Sequence, residues 1–139
     1  MLTTTLHLIG RHAPCERGWT TLVKALPTLF SVHGTIELGY ILDTNGVDDT
    51  LWALRAVRED PNELIDGFTD FLYERASVQD PGGALAQRFD RAFHQHGRRI
   101  GVWHSAWCCL VWETGNRDPE EARQRAKLRN LLNVKETPK

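Results

Sequence analysis

Along most of the chain apolar residues recur at spacings of three and four, the period of a helix buried on one face. Leu64, Ile65, Phe68, Phe71 and Leu72 form one such face. Cys15, Trp19, Leu22, Val23 and Leu26 form another, and Phe89 and Phe93 mark a third. Between Arg99 and Glu113 the pattern closes almost all round: Ile100, Trp103, Trp107, Leu110 and Val111 share a face, while Val102, Ala106 and Cys109 cover much of the rest. A helix of that kind belongs in the middle of a core. The periodicity predicts helices near 14–26, 49–58, 61–76, 83–96, 99–113 and 119–132.

Punctuation supports these limits. Asp60-Pro61, Asp80-Pro81 and Asp118-Pro119 each offer a capping carboxylate followed by a proline where a missing N–H costs nothing. Glu63 and Glu121 stand where a capping box places its acid, Asp48 is the expected cap of the 49–58 helix, and Gly115 is the expected stop of the 99–113 helix. Residues 29–45 read both ways, because Ile36, Leu38, Tyr40 and Leu42 alternate like a strand while Ile36, Tyr40 and Ile41 suit a helix closed by Asn45-Gly46. A lone hairpin is poorly supported in a helical domain, so helix is the expectation. Leu2–Ile9 is too short and mixed to assign, which leaves room for a short β element near the N-terminus. The expected fold is all-α, a compact single-domain bundle of about six to seven helices over 1–133 with a frayed tail at 134–139.

Composition narrows the chemistry. The 139 residues suffice for one core without disulfides or a structural metal, and three cysteines make no disulfide framework. No secretory signal opens the chain, and the longest apolar stretch, Ile100–Trp112, is broken by His104 and Ser105. The expectation is a bacterial cytoplasmic protein with no membrane partner. His94, His96, His104, Cys108 and Cys109 are the candidate ligands, yet only His104 and Cys108 stand one helical turn apart and no second pair completes a site. Neither a metal nor another cofactor is expected, and with the common nucleophile, phosphate-loop and metalloprotease motifs missing, neither is an enzyme.

Charge is divided more sharply than the net of −1 shows. Between Glu37 and Asp80 eleven acids face Arg55, Arg58 and Arg75, a net of −8, whereas Arg88–Arg129 carries a net of +4. At 100° per residue, Glu63, Asp66, Asp70 and Glu74 fall within about 80° of one another, opposite the apolar face. Like charges one turn apart repel, and helix faces kept merely for solubility generally interleave lysines instead. These four residues, with Asp48, Asp49 and Glu59, are the candidate partner-binding acids. The alternative face is basic: Arg98, Arg99, Arg123, Arg125, Lys127 and Arg129 are spaced to meet phosphates.

Residues 45–57, NGVDDTLWALRAV, resemble a G-(Leu or Val)-D-D-x-L-W-x-L-R pattern of small helical proteins carried on phages, plasmids and integrated elements of high-GC bacteria. Acidic mobile-element proteins of this size in turn resemble anti-CRISPR and related counter-defence proteins. The resemblance implies a non-enzymatic, protein-binding inhibitor whose partner is a subunit of a CRISPR effector complex, acting by blocking a basic nucleic-acid-binding surface or by disturbing subunit contacts. The alternatives are a small nucleic-acid-binding regulator using the Arg-rich half and an immunity or antitoxin protein using the acidic face.

Overall fold

The computed structural model describes residues 2–96, 107–112 and 117–134. The protein is all-α, with one pair of two-residue strands among the described residues. No helix among those residues is long and apolar enough to cross a membrane. The chain divides into two compact units, Met1–Pro61 with Leu132–Lys139, and Asn62–Leu131.

In the first unit, β1 (Thr3–Thr4) pairs antiparallel with β2 (Ile36–Glu37), Thr3 opposite Glu37 and Thr4 opposite Ile36. The short β element near the N-terminus is therefore present, and the helix expected over 29–45 forms only from Leu38 onward. Alternation holds just long enough to bury Ile36 and Leu38, and the N–H of Leu38 donates to the Leu2 carbonyl at 3.2 Å. Helix α1 (Leu6–Gly10) follows β1 and is capped by Thr5, whose hydroxyl accepts from the Leu8 N–H at 3.1 Å. In α2 (Glu16–Ala25) the cap is Cys15, whose Sγ accepts from the Gly18 N–H at 3.4 Å. Cys15 is thus exposed rather than part of the apolar stripe, which Leu22 buries.

Helices α3 (Leu38–Asn45) and α4 (Val47–Ala53) meet at Gly46, whose φ of +93° suits glycine and few other residues. That turn starts α4 at Val47, so Asp48 lies inside the first turn instead of capping it. There the carboxylates of Asp48 and Asp49 face the positive end of the helix dipole. A 3-10 turn, Leu54–Ala56, ends the run short of residue 58. Leu22, Ile41, Leu42 and Leu51 are buried. Burial of such side chains is worth about 1.5–3 kcal/mol apiece.

The second unit is built on α5 (Asn62–Gln79), α6 (Ala84–His96), α7 (107–112) and most of α8 (Arg117–Val134). Asp80 begins α6 across a glycine turn: its Oδ2 accepts from the Leu85 N–H at 2.9 Å and its Oδ1 from the Gly82 N–H at 3.2 Å, while Gly83 takes φ +86°. Phe68 and Leu72 of α5, Phe89 of α6, Leu110 of α7 and Leu128 of α8 are buried. Helix α8 runs antiparallel to α5, since Arg75 meets Glu120, Phe71 meets Lys127 and Gly67 meets Leu131. A methyl added at Gly67 would stand 2.8 Å from Leu131 Cδ2, so the lack of a side chain there sets how closely the helices approach.

Of the buried central helix expected over 99–113, residues 107–112 are described: Trp107, Leu110 and Val111 are buried, but Trp112 is 74% exposed. The burial of that helix therefore ends at its last described residue. Trp103, His104 and Gly115 lie outside the described residues. Asp118, the expected cap of α8, falls in its first turn.

Candidate functional site

The acidic row forms on α5 as its spacing predicts. Glu63, Asp66, Asp70 and Glu74 are all exposed, and Leu64, Ile65, Phe68 and Leu72 are buried on the other side of the same helix. Asp70 stands one turn from both Asp66 and Glu74, and neither Asp70 nor Glu74 makes a hydrogen bond or ion pair among the described residues. Three like charges in file cost a few tenths of a kcal/mol per neighbouring pair, and nothing among the described residues recovers that at Asp70 and Glu74.

The flanks of the row differ. Toward α6, Tyr73 packs edge-on against Phe89 with ring centres 4.5 Å apart and donates its hydroxyl to Asp90 Oδ1 at 2.7 Å. Burial, the bond to Asp90 and the charge of Asp90 push the Tyr73 phenol up to about 12. Asp90 is itself exposed, so it adds a carboxylate at this margin. Toward α8, Lys127 Nζ lies 6.0 Å from the centre of the Phe71 ring. A cation therefore borders the row toward α8, and does so as part of helix packing.

The other candidate acids belong to the first unit, where two of them are committed to holding it together. Asp49 Oδ2 accepts from Asn45 Nδ2 at 2.9 Å, and the same amide group donates to the Gly18 carbonyl at 2.9 Å. Glu59 receives the Thr3 N–H and the Thr3 hydroxyl, both at 2.6 Å. Burial pushes the Glu59 carboxyl upward, but the Thr3 bonds, its own backbone N–H and the neighbouring Arg58 outweigh that and leave it below the usual carboxylate range. Asp48 is half-buried in the first turn of α4.

The basic set is also partly used up internally. Arg98 and Arg99 lie outside the described residues. Arg123 is 3.3 Å from Glu120 Oε2, and Lys127 packs on Phe71. Arg125 and Arg129 are half-buried. Sequence spacing did not reveal a buried ion pair of this unit: Glu120, 1% exposed, receives Arg75 Nε at 3.2 Å and Nη2 at 3.0 Å. The two residues are 45 positions apart, and each looks like an ordinary surface charge on its own helix. One turn beyond Glu120, the Gln124 amide is fully buried, and neither its oxygen nor its nitrogen is bonded among the described residues.

Arg117, the first residue of α8, lies over the Trp107 ring at 5.0 Å and 3.8 Å from Glu121. With Trp112 exposed five positions earlier, an aromatic does accompany the Arg-rich end of the chain. The near-continuous apolar pattern of 99–113 places that helix in the middle of the core, and Trp112 departs from it. No protein-family model, curated protein or solved structure matches this chain.

Proposed function

We propose that the protein is a non-enzymatic inhibitor that binds a protein partner through the α5 carboxylate row. The partner offers a basic surface of the kind a CRISPR effector reserves for nucleic acid. One observation supports the reading above the rest: a helix whose buried face is largely apolar presents a file of exposed carboxylates, and Asp70 and Glu74 within it have no counter-charge among the described residues. Such a file can occupy a groove shaped for phosphates, and opposite fields speed the encounter. The class resemblance supplies the choice of a bacterial defence complex as the partner, inside the host cell.

The test is binding of purified effector complexes to the wild-type chain and to the Asp66→Lys/Asp70→Lys double variant, paired with a phage-protection assay in cells. The expected result is at least a tenfold loss of affinity, mostly in the association rate, with wild-type affinity falling as salt rises. Asn replacements should lose less. A double variant that binds and protects as wild type does would overturn the proposal.

A second reading, a small nucleic-acid-binding regulator, is favoured by the exposed Trp112, an aromatic of the sort on which single-stranded bases stack, five positions before the first arginine of α8. It calls for binding of a single-stranded oligonucleotide by the protein alone, with a steep salt dependence and a loss in Trp112→Ala.

A further inference from the structure

In the first unit, two histidines 26 positions apart in sequence are brought together at the surface. His7 projects from α1 and His33 from the turn before β2; both are exposed, and their ring centres are 5.0 Å apart with planes at 45°. The approach is held by backbone. The His7 N–H donates to the Val32 carbonyl at 2.9 Å, and the turn carrying His33 is closed by His33 N–H to Ser31 Oγ at 3.1 Å and Gly34 N–H to the Ser31 carbonyl at 2.9 Å. Neither imidazole makes a hydrogen bond or ion pair among the described residues, so both rings keep a lone pair to offer.

We infer that His7 and His33 form a two-histidine site for a divalent first-row transition cation. With metal–nitrogen bonds of about 2.0–2.1 Å, two imidazoles held at a tetrahedral angle on one ion have ring centres roughly 5 Å apart. That is the separation found here. Imidazole selects copper, nickel and zinc over the hard cations that prefer oxygen ligands. No group of three or more metal-ligating side chains exists among the described residues, so water completes the coordination and the site stays open and of modest affinity. An occupied site ties α1 to the turn at 31–34, next to Leu29 and Val32, which are 94% and 53% exposed.

The experiment uses the full chain, stripped with chelator and titrated separately with the copper(II), nickel(II) and zinc ions alone. Calorimetry gives the affinities, and thermal melting and limited proteolysis at 26–34 give the structural consequence. Wild type should bind one ion at this site, copper most tightly. It should melt at a higher temperature with metal present, because an ion that binds only the folded state stabilises it. Its 26–34 segment should resist cleavage. His7→Ala and His33→Ala should each lose at least tenfold in affinity together with the metal-dependent rise in melting temperature. His7→Gln and His33→Gln, which keep the side-chain bulk, should behave alike, and His12→Ala should match wild type. Since both rings are exposed, the variants should melt as wild type does without metal. Affinity that falls less than threefold in His7→Ala and His33→Ala, or a thermal shift that persists in them, overturns the inference.

Discussion

Asp49 and Glu59 of the first unit and the α5 row of the second are treated in opposite ways. In the first, Asp49 and Glu59 turn toward donors of their own fold, Asn45 and Thr3. On α5 of the second, Asp70 and Glu74 meet no partner among the described residues, although Arg75 follows Glu74 directly and bends instead to Glu120. The acidic run Glu37–Asp80 looks uniform as a string of letters, yet it contains staples and a display. Charge becomes informative about binding only after the donors of the same fold have been subtracted. For Asp49 and Glu59 little remains, while for Asp70 and Glu74 the charge is left over among the described residues.

The contrast is most easily broken at Arg75. Removing it leaves a buried carboxylate at Glu120, and Arg75→Ala should destabilise the protein by about 3 kcal/mol, the low end for uncovering a buried charge. The low end applies because Arg123 stays 3.3 Å away. Urea melts would show it, and a loss below roughly 0.5 kcal/mol would mean that Glu120 is not held by this pair. The next effect has the opposite sign. Gln124 buries an amide with neither atom bonded among the described residues, so Gln124→Met, close in shape and free of that penalty, should stabilise by about 1–2 kcal/mol in the same melts.

A smaller loss, about 1 kcal/mol at neutral pH, is expected for Glu59→Gln, because its bonds to Thr3 are charge-assisted but lie in an exposed position. Since the folded-state Glu59 carboxyl titrates below its ordinary value, its contribution is present above the unfolded pKa. It disappears as pH falls through the lowered one. Wild type and Glu59→Gln should therefore converge in stability in acid, which melts at pH 7 and below pH 4 would check. Smallest of all is the effect of Asp66→Lys/Asp70→Lys on folding, within about 0.5 kcal/mol of wild type and of either sign. A large destabilisation there would show that the row is structural and would erase the contrast between the units.

How much of this was legible beforehand depended on distance along the chain. The α5 row was readable because helical period and position on a face are local properties, and Glu63, Asp66, Asp70 and Glu74 needed only their own helix to line up. Helix α1 has five residues and β1 two, too few for either period to register. Gly46 hid the start of α4, since a turn at positive φ makes a capping Asp48 unnecessary. The roles of Glu59 and Glu120 depend on partners 56 and 45 positions away, and no spacing rule reaches that far. The exposure of Trp112 was not legible because an apolar run has no marker for where the surface begins.

The clasp between Thr3 and Glu59 also sets an order of events during synthesis. β1 is made 56 residues before the carboxylate that receives its N–H, and 52 before the Ala56 carbonyl that receives the Thr4 hydroxyl. At about 5–20 residues per second, the strand waits roughly 3–11 s for those partners on a growing chain. Until Val32, Ile36 and Leu38 have been made, Leu2 and Leu6, buried in the finished unit, have only local neighbours. Closing so long a loop defers the reward of the contact until most of the unit has been made. The strand is thus secured in two steps, by β2 first and by the clasp last, and nascent chains that stall before residue 36 present an unpaired edge and its apolar side chains to whatever chaperone or neighbour arrives first.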